Sequence, residues 1–266
     1  MRFGVSLPIF DRLADPVVLA ELAAVAEQAG WDGVFVWDHL QYRPPITSAT
    51  DPWIALAAMA ARTERVLLGP MVTPLARRRP QVVARQLVAL DQLARGRVIF
   101  GAGLGLDASG EEFSRFGEPT NVRLRAEMFD EALTVLGALL TGEPVNHEGR
   151  HYAASNVQFR PPPYRDRIPI WIAARWPNRA PMRRAARFDG VNVIDLGVEH
   201  LPAVLATIGA ERPEGTAGFD VVVGAGPGAD PRPWADAGAT WLLTGFDAFT
   251  VTVAGVEAVL RNGPRR

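Results

Sequence analysis

An α/β fold, built as a single (β/α)8 TIM barrel over residues 1–266, is what this sequence predicts, on three observations. Short apolar, β-branched runs alternate with helical stretches eight times along the chain. Those runs are apolar on both faces, as strands of a parallel sheet covered by helices must be. Helix starts are marked where the alternation requires them: Asp15-Pro16 and Asp51-Pro52 each pair a capping carboxylate with a proline preset for the first helical turn.

The elements follow in order. Phe3–Leu7 reads as the first strand, and the helix after Asp15-Pro16 runs to a C-terminal glycine, Gly30. Gly33–Val36 is the second strand. The helix from Pro52 ends at Thr63, and Val66–Val72 is the third strand, with Gly69, Pro70 and Pro74 disturbing its regularity. A helix over Pro80–Leu93, closed by Gly96, leads to the fourth strand at Val98–Ala102; a long helix spans Val122–Leu140. Residues 142–167 break the rhythm with Pro144, Gly149 and the run Pro161, Pro162, Pro163, and read as a Pro-rich insertion carrying a hairpin between strands 4 and 5. The rhythm returns with strands at Ile170–Ala173, Gly190–Ile194, Phe219–Val223 and Thr240–Leu243. Helices follow them at Arg179–Phe188, His200–Ile208, Pro233–Ala237 and Phe249–Leu260. Eight such units in a chain of this length argue for a barrel rather than an open sheet.

Composition narrows the function classes. A net charge of -1 supplies no basic field for nucleic acid or an anionic membrane. The absence of cysteine removes disulfides, thiolate nucleophiles and cysteine metal sites. No apolar run approaches membrane-spanning length, and the first strand begins without a leader-like segment, so a cytoplasmic protein is expected.

Chemistry is expected where barrels place it, at the carboxyl ends of the strands. The second strand stops on Trp37, Asp38 and His39; the fourth on Gly101, Ala102, Gly103, Leu104 and Gly105; the fifth on Ala173, Ala174, Arg175 and Trp176. One imidazole, one guanidinium, apolar walls and exposed backbone make a poor hydrolase and a good seat for a flat, anionic cofactor. His147-Glu148-Gly149-Arg150-His151 spells the zinc-protease pattern, but Pro144 and Gly149 place it in the hairpin, where two imidazoles cannot share a helix face. No metal site is therefore expected.

Trp37-Asp38-His39, Gly69-Pro70-Met71-Val72-Thr73-Pro74, Gly101-Ala102-Gly103-Leu104-Gly105 and Pro169-Ile170-Trp171-Ile172-Ala173, in this order, resemble the bacterial-luciferase-like oxidoreductases. That family uses coenzyme F420 or FMN. The resemblance implies an oxidoreductase with F420, alternatively FMN, acting on a small organic substrate by hydride transfer or oxygenation. His39 and Asp38 match the catalytic pair beside the ring. Met71-Val72 matches a non-proline cis peptide, with Thr73 after it, that backs the ring. Gly103 and Leu104 match the cofactor edge. Ala173, Ala174 and Arg175, with Trp176 beside them, match the loop that holds the phosphate. Leu106 stands where the family's deazaflavin-dependent sugar-phosphate dehydrogenases carry a glutamate, which argues against their substrate. The family further implies a homodimer and, for an FMN enzyme, a separate reductase as partner. A non-catalytic flavin-binding protein of the same fold is the other reading.

Overall fold

The computed structural model describes residues 1–213 and 215–266. Its strands are β1 (Arg2–Leu7), β2 (Gly33–Val36), β3 (Leu67–Pro70), β4 (Thr73–Pro74), β5 (Phe100–Gly103), β6 (Val145–Glu148), β7 (Ala153–Val157), β8 (Ile170–Ala174), β9 (Gly190–Val193), β10 (Asp220–Ala225) and β11 (Trp241–Gly245). The helices are α1 (Pro16–Gln28), α2 (Pro52–Arg62), α3 (Pro80–Leu93), α4 (Val122–Leu140), α5 (Arg179–Ala185), α6 (Leu201–Gly209), α7 (Arg232–Asp236) and α8 (Val253–Arg261). None of them, among the described residues, is long and apolar enough to cross a membrane.

Nine strand segments form one sheet in the order β3-β2-β1-β11-β10-β9-β8-β5-β4, all parallel. β3 and β4 are the two halves of the third barrel strand, parted at the cis peptide between Met71 and Val72. The ring closes on both sides of that break. Below it, Leu68 N–H donates to the Arg97 carbonyl at 2.9 Å and Ile99 N–H to the Leu68 carbonyl at 2.8 Å. Above it, Thr73 pairs with Ala102 and Pro74 with Gly103. The barrel is thus complete, with its third strand displaced in the middle.

The predicted caps form. The Asp15 carboxylate accepts the Val17 N–H at 2.8 Å, and that of Asp51 accepts those of Trp53 and Ile54, both at 2.9 Å. Gly30 and Gly96 take the left-handed conformation, φ +85° and +79°, that ends α1 and α3. The closing helix starts at Val253 instead of Phe249. Asp247 captures the Phe249 N–H in a local turn at 2.7 Å, and Thr252 caps the helix through the Gly255 N–H at 3.1 Å. The insertion carries the antiparallel hairpin β6–β7. The His147-to-His151 stretch runs from β6 into its turn, held to α4 by Glu131, which accepts the N–H groups of His151 and Tyr152. Of the two imidazoles, that of His147 meets the same carboxylate through Nε2, at 3.2 Å.

Apolar side chains split into two layers. Outward-facing strand residues such as Val5, Leu7, Val34, Val36, Ile172 and Val191 are buried under the helices. Inside the barrel, Phe35, Met71, Ile99, Trp171, Val222, Trp241 and Leu243 form a second cluster. Its centre is a triangle of rings, Phe35–Trp171 at 5.5 Å, Trp171–Trp241 at 5.3 Å and Phe35–Trp241 at 6.0 Å. The two indole N–H groups are satisfied by the Asp220 carboxylate, each at 3.2 Å. These large rings plug the barrel's middle and so set a floor beneath its upper mouth.

Candidate active site

β2 ends at Val36, and the chain then turns outward over the barrel rim, which delivers Trp37, Asp38 and His39 to the mouth. Asp38 is 1 % exposed. Its Oδ2 accepts the Thr73 hydroxyl at 2.7 Å, and its Oδ1 accepts Arg77 Nη2 at 3.0 Å and Arg78 Nη2 at 2.7 Å. Arg77 also donates to the Asp38 carbonyl at 3.0 Å. Every oxygen of this residue is therefore turned into the protein, and none faces the mouth.

His39 is the more accessible of the pair, its side chain 20 % exposed. Its Nδ1 lies 2.7 Å from Glu112 Oε2. The second oxygen of Glu112 accepts the Leu40 N–H in a short hydrogen bond and the Gln41 N–H at 3.5 Å. Arg77 Nη1 stands 3.0 Å from the same oxygen, within ion-pair distance, though its N–H is not aimed there. Burial opposes the Glu112 charge, but the His39 hydrogen bond, the charges of His39 and Arg77 and the Leu40 N–H outweigh it, so the carboxyl sits below its ordinary range. Arg77 bridges two buried carboxylates and Arg78 caps one of them. The two guanidiniums balance the two carboxylates, the condition under which so many ionised groups can be buried together.

Aromatic rings complete the pocket around the imidazole. Phe10, Trp37 and Tyr42 lie 5.6, 6.1 and 5.2 Å from it, centroid to centroid. Trp37 donates to the Ser6 hydroxyl at 3.1 Å. Beyond this wall the loop residues Leu40, Tyr42, Pro44, Ile46, Gly110 and Arg115 help line a cavity of about 600 Å³. No described residue bonds the His39 Nε2, which is free to meet a ligand.

The strand ends beyond β1 on the same rim as His39 are small. Gly224 and Gly245, on the adjacent strands β10 and β11, have room for a side chain: a Cβ on either would meet nothing closer than 3.9 Å. Ser6 and Ala173 lie partly exposed on the same rim. Asn192, 7 % exposed, stands in register with Ala173 and Val222, and no described residue bonds its amide. The mouth is therefore a shallow cup with an aromatic floor, glycine and alanine walls, one free imidazole nitrogen and one free amide. Its shape and chemistry fit a planar heterocycle with a polar edge.

The other expected site residues fall around this cup in unequal ways. Met71 is buried in the inner cluster and Val72 partly exposed. Thr73 is fully buried and spends its hydroxyl on Asp38. Gly101 and Gly103 are filled by the protein itself: a Cβ at Gly101 would sit 2.3 Å from the Pro70 carbonyl oxygen, and one at Gly103 2.6 Å from the Val72 side chain. These two glycines make room for the displaced third strand. Leu104 is partly buried; Ala174 is buried behind the rim. Arg175 is half exposed and pairs with Asp195, while Trp176 stacks on His200 at 5.9 Å. Because the Arg175–Asp195 pair is open to solvent, it holds Arg175 only weakly.

Glu112 is the residue that sequence reasoning missed. It sits between two 3-10 turns, Asp107–Ser109 and Ser114–Phe116, in a stretch without periodicity. The signal was only a carboxylate inside the loop after the fourth barrel strand.

The profile of the luciferase-like monooxygenase family matches residues 1–232. The F420-dependent glucose-6-phosphate dehydrogenase of Nakamurella multipartita is 36% identical over 180 residues, covering 66% of this chain and 51% of that protein. The chain spans about half the length of the curated relatives it matches. Among solved structures, the coenzyme F420-dependent tetrahydromethanopterin reductase of Methanopyrus kandleri superposes with a TM-score of 0.81 at 17% identity over 98% of each chain. The oxygenating constituent of 3,6-diketocamphane monooxygenase of Pseudomonas putida, in complex with FMN, gives a TM-score of 0.72 at 20% identity, covering 85% of this chain and 67% of that one. These two likenesses concern the fold; the profile match over most of the sequence shows that the chain belongs to the luciferase-like monooxygenase family.

Proposed function

We propose that this chain is an oxidoreductase that binds coenzyme F420, alternatively FMN, over the barrel mouth and acts there on a small organic substrate. The observation that carries the reading is the cup: small strand ends over a floor of Phe35, Trp171 and Trp241, with the free Nε2 of His39 on its rim. The named F420-dependent relatives support F420 as the first choice. The FMN complex among its structural neighbours keeps FMN as the alternative, for which a separate reductase would supply the reduced cofactor.

When bound, such a cofactor supplies a two-electron acceptor or donor that amino-acid side chains cannot provide. The chain's own residues do the rest. Val72 and Leu104, both partly exposed, would back and edge the ring, with Met71 and Gly103 shaping the strands behind them, and the Asn192 amide would offer a donor and an acceptor to its polar rim. Ala173, Ala174, Arg175 and Trp176 form the loop nearest the phosphate. Arg175 reaches that anion by leaving its exposed partner Asp195. His39 takes or gives a proton at Nε2, while Phe10, Trp37 and Tyr42 exclude water from it. Asp38 acts indirectly, by anchoring Thr73, Arg77 and Arg78 beneath the imidazole. This free, oriented nitrogen favours an enzyme over a passive flavin carrier, which has no use for one.

We further propose one barrel domain over residues 1–266, acting as a homodimer in the cytoplasm. Leu106 in place of an acidic residue favours a substrate other than a sugar phosphate. The reading is tested by titrating the purified protein with F420 and with FMN, each oxidised and reduced, and following tryptophan fluorescence, since Trp37, Trp171, Trp176 and Trp241 surround or underlie the cup. Saturable quenching by F420 is expected; preference for reduced FMN selects the alternative, and no response to any of the four overturns the cofactor assignment.

A further inference from the structure

The two oxygens of Glu112 are not equivalent. Oε1 receives the N–H groups of Leu40 and Gln41 and faces Arg77 Nη1 at 3.0 Å; Oε2 faces only His39 Nδ1, at 2.7 Å. Every group around Oε1 is an obligate donor, so that oxygen must be a bare acceptor. Donors on Oε1 alone would still allow a proton on Oε2; the Arg77 guanidinium 3.0 Å away, in a cluster where two guanidiniums balance two carboxylates, holds Glu112 ionised, so the hydrogen between Oε2 and Nδ1 comes from the imidazole. The depressed titration of this carboxyl agrees with the geometry. Among the described residues no other charged group pairs with the ring: Phe10, Trp37 and Tyr42 cover it, Tyr42 being their one titratable group, while Arg77, Asp38 and Arg78 lie behind Glu112 in the cluster.

We infer that Glu112 is a positioning residue that fixes His39 as its Nδ1–H tautomer and leaves the Nε2 lone pair pointing into the barrel mouth as a proton acceptor. An imidazole in water favours the opposite tautomer, so the protein reverses the ring's own preference. The site spans three strand-end loops: His39 comes from the loop after β2, Arg77 from that after β4 and Glu112 from that after β5. Arg77 joins the two carboxylates, which registers these loops against one another. The role as proton acceptor rests on the functional reading above; the tautomer does not, because it is a property of the chain without cofactor.

The sharpest test is Glu112→Gln. The donors around Oε1 dictate which way the amide turns: its oxygen goes to Leu40 and Arg77, and its NH2 group then faces Nδ1. That amide donates where the carboxylate accepted, so the imidazole must move its proton to Nε2. Nitrogen-15 spectra of histidine-labelled protein, followed to a pH at which the ring is neutral and with His39 assigned by its loss in His39→Gln, are expected to show Nδ1 protonated and Nε2 bare. In Glu112→Gln the two nitrogens exchange roles. Glu112→Asp, which keeps the carboxylate, is expected to restore the Nδ1–H signal in part, and Asp38→Asn to leave the tautomer unchanged. A protonated Nε2 in the unsubstituted protein, or an unchanged pattern in a folded Glu112→Gln, overturns the inference. If Glu112→Gln does not fold, the spectrum of the unsubstituted protein alone decides. In turnover with whichever cofactor the protein binds, Glu112→Gln is expected to lower kcat about 10- to 100-fold, the usual effect of losing a partner that orients a reactive histidine, with cofactor affinity unchanged. Failure of F420 and FMN to bind would remove the functional reading and leave the tautomer standing.

Discussion

His39 holds its ring at the most accessible point of an otherwise buried cluster, so its loss should be felt in chemistry more than in binding or stability. The ring's side chain is only 20 % exposed, yet its one hydrogen-bonded partner, Glu112, keeps the Leu40 N–H and Arg77 when the imidazole is removed. His39→Ala is therefore expected to abolish turnover while leaving the affinity for F420 or FMN largely intact; unimpaired turnover by the purified variant would remove His39 from the mechanism. Glu112 also ties the cluster to pH. Its carboxyl titrates below the ordinary range once folded, so its contribution to stability is complete at and above the ordinary carboxylate range and is lost as the pH falls through the lower, folded value. Melting curves between about pH 7 and pH 3 should then show a smaller acid-side drop in Glu112→Gln than in the unsubstituted protein, and parallel curves would contradict this linkage. His39 and Asp38 were legible in the sequence because a polar pair that ends a fully apolar strand has nowhere to go but the rim. Glu112 was not: its contact with His39 spans 73 positions and starts from an aperiodic loop, and one-dimensional spacing carries no information about that meeting. The reach of Asp38 was hidden for the same reason. Only the fold shows Arg77 and Arg78, which no spacing in the sequence pairs with Asp38, folded back onto its carboxylate.

At the level of the element, the displaced third strand explains glycines that sequence alone assigns to a ligand. Gly101 and Gly103 looked like room for something large to approach the backbone, and something large does approach, but it is Pro70 and Val72 of the neighbouring strand. Gly69 is tighter still, because a Cβ there would lie 1.8 Å from the Ile99 carbonyl oxygen, inside the closure of the barrel. Backbone cannot yield as a flexible side chain can, so Gly69→Ala is expected to destabilise by roughly 3 kcal/mol, in the range of overpacked cores. For a chain of this size that corresponds to a fall in Tm of about 6–12 °C. Differential scanning calorimetry checks it, and a Tm within a degree of the parent would mean that the closure relaxes freely. Helix starts were readable to the residue at Asp15-Pro16 and Asp51-Pro52, since cap and first-turn proline act locally. The closing helix was drawn too long, because the Asp247 turn and the Thr252 cap compete with helix over the four residues from Phe249 by side-chain hydrogen bonds that periodicity does not register.

On the scale of the whole molecule, the barrel divides its interior into a filled half and an open half. Three aromatic rings, two of them tied to Asp220 and the third, Phe35, packed against both, plug the middle, and above them the strands end in residues too small to fill the remaining space. A parallel barrel of eight strands is wide enough that its interior must be packed by side chains; where they shrink to glycine on adjacent strands, the vacancy is a choice of sequence and not of fold. That distinction yields a test which separates binding from stability. Leucine at Gly224 or valine at Gly245 would enter space in which no atom lies within 3.9 Å of the new Cβ, and neither glycine has a positive φ. Gly224→Leu and Gly245→Val are therefore expected to leave the melting temperature within a few degrees of the parent while occupying the seat proposed for the cofactor. Quenching by F420 and by FMN should be lost or weakened at least tenfold, about 1.4 kcal/mol of binding free energy. Retained affinity in both variants, with Tm unchanged, would place the cofactor elsewhere on the barrel. Lost affinity together with a collapsed Tm would instead show that the two glycines close the barrel, as Gly69 does. The molecule would then have no open half, and the proposed seat would have to be abandoned.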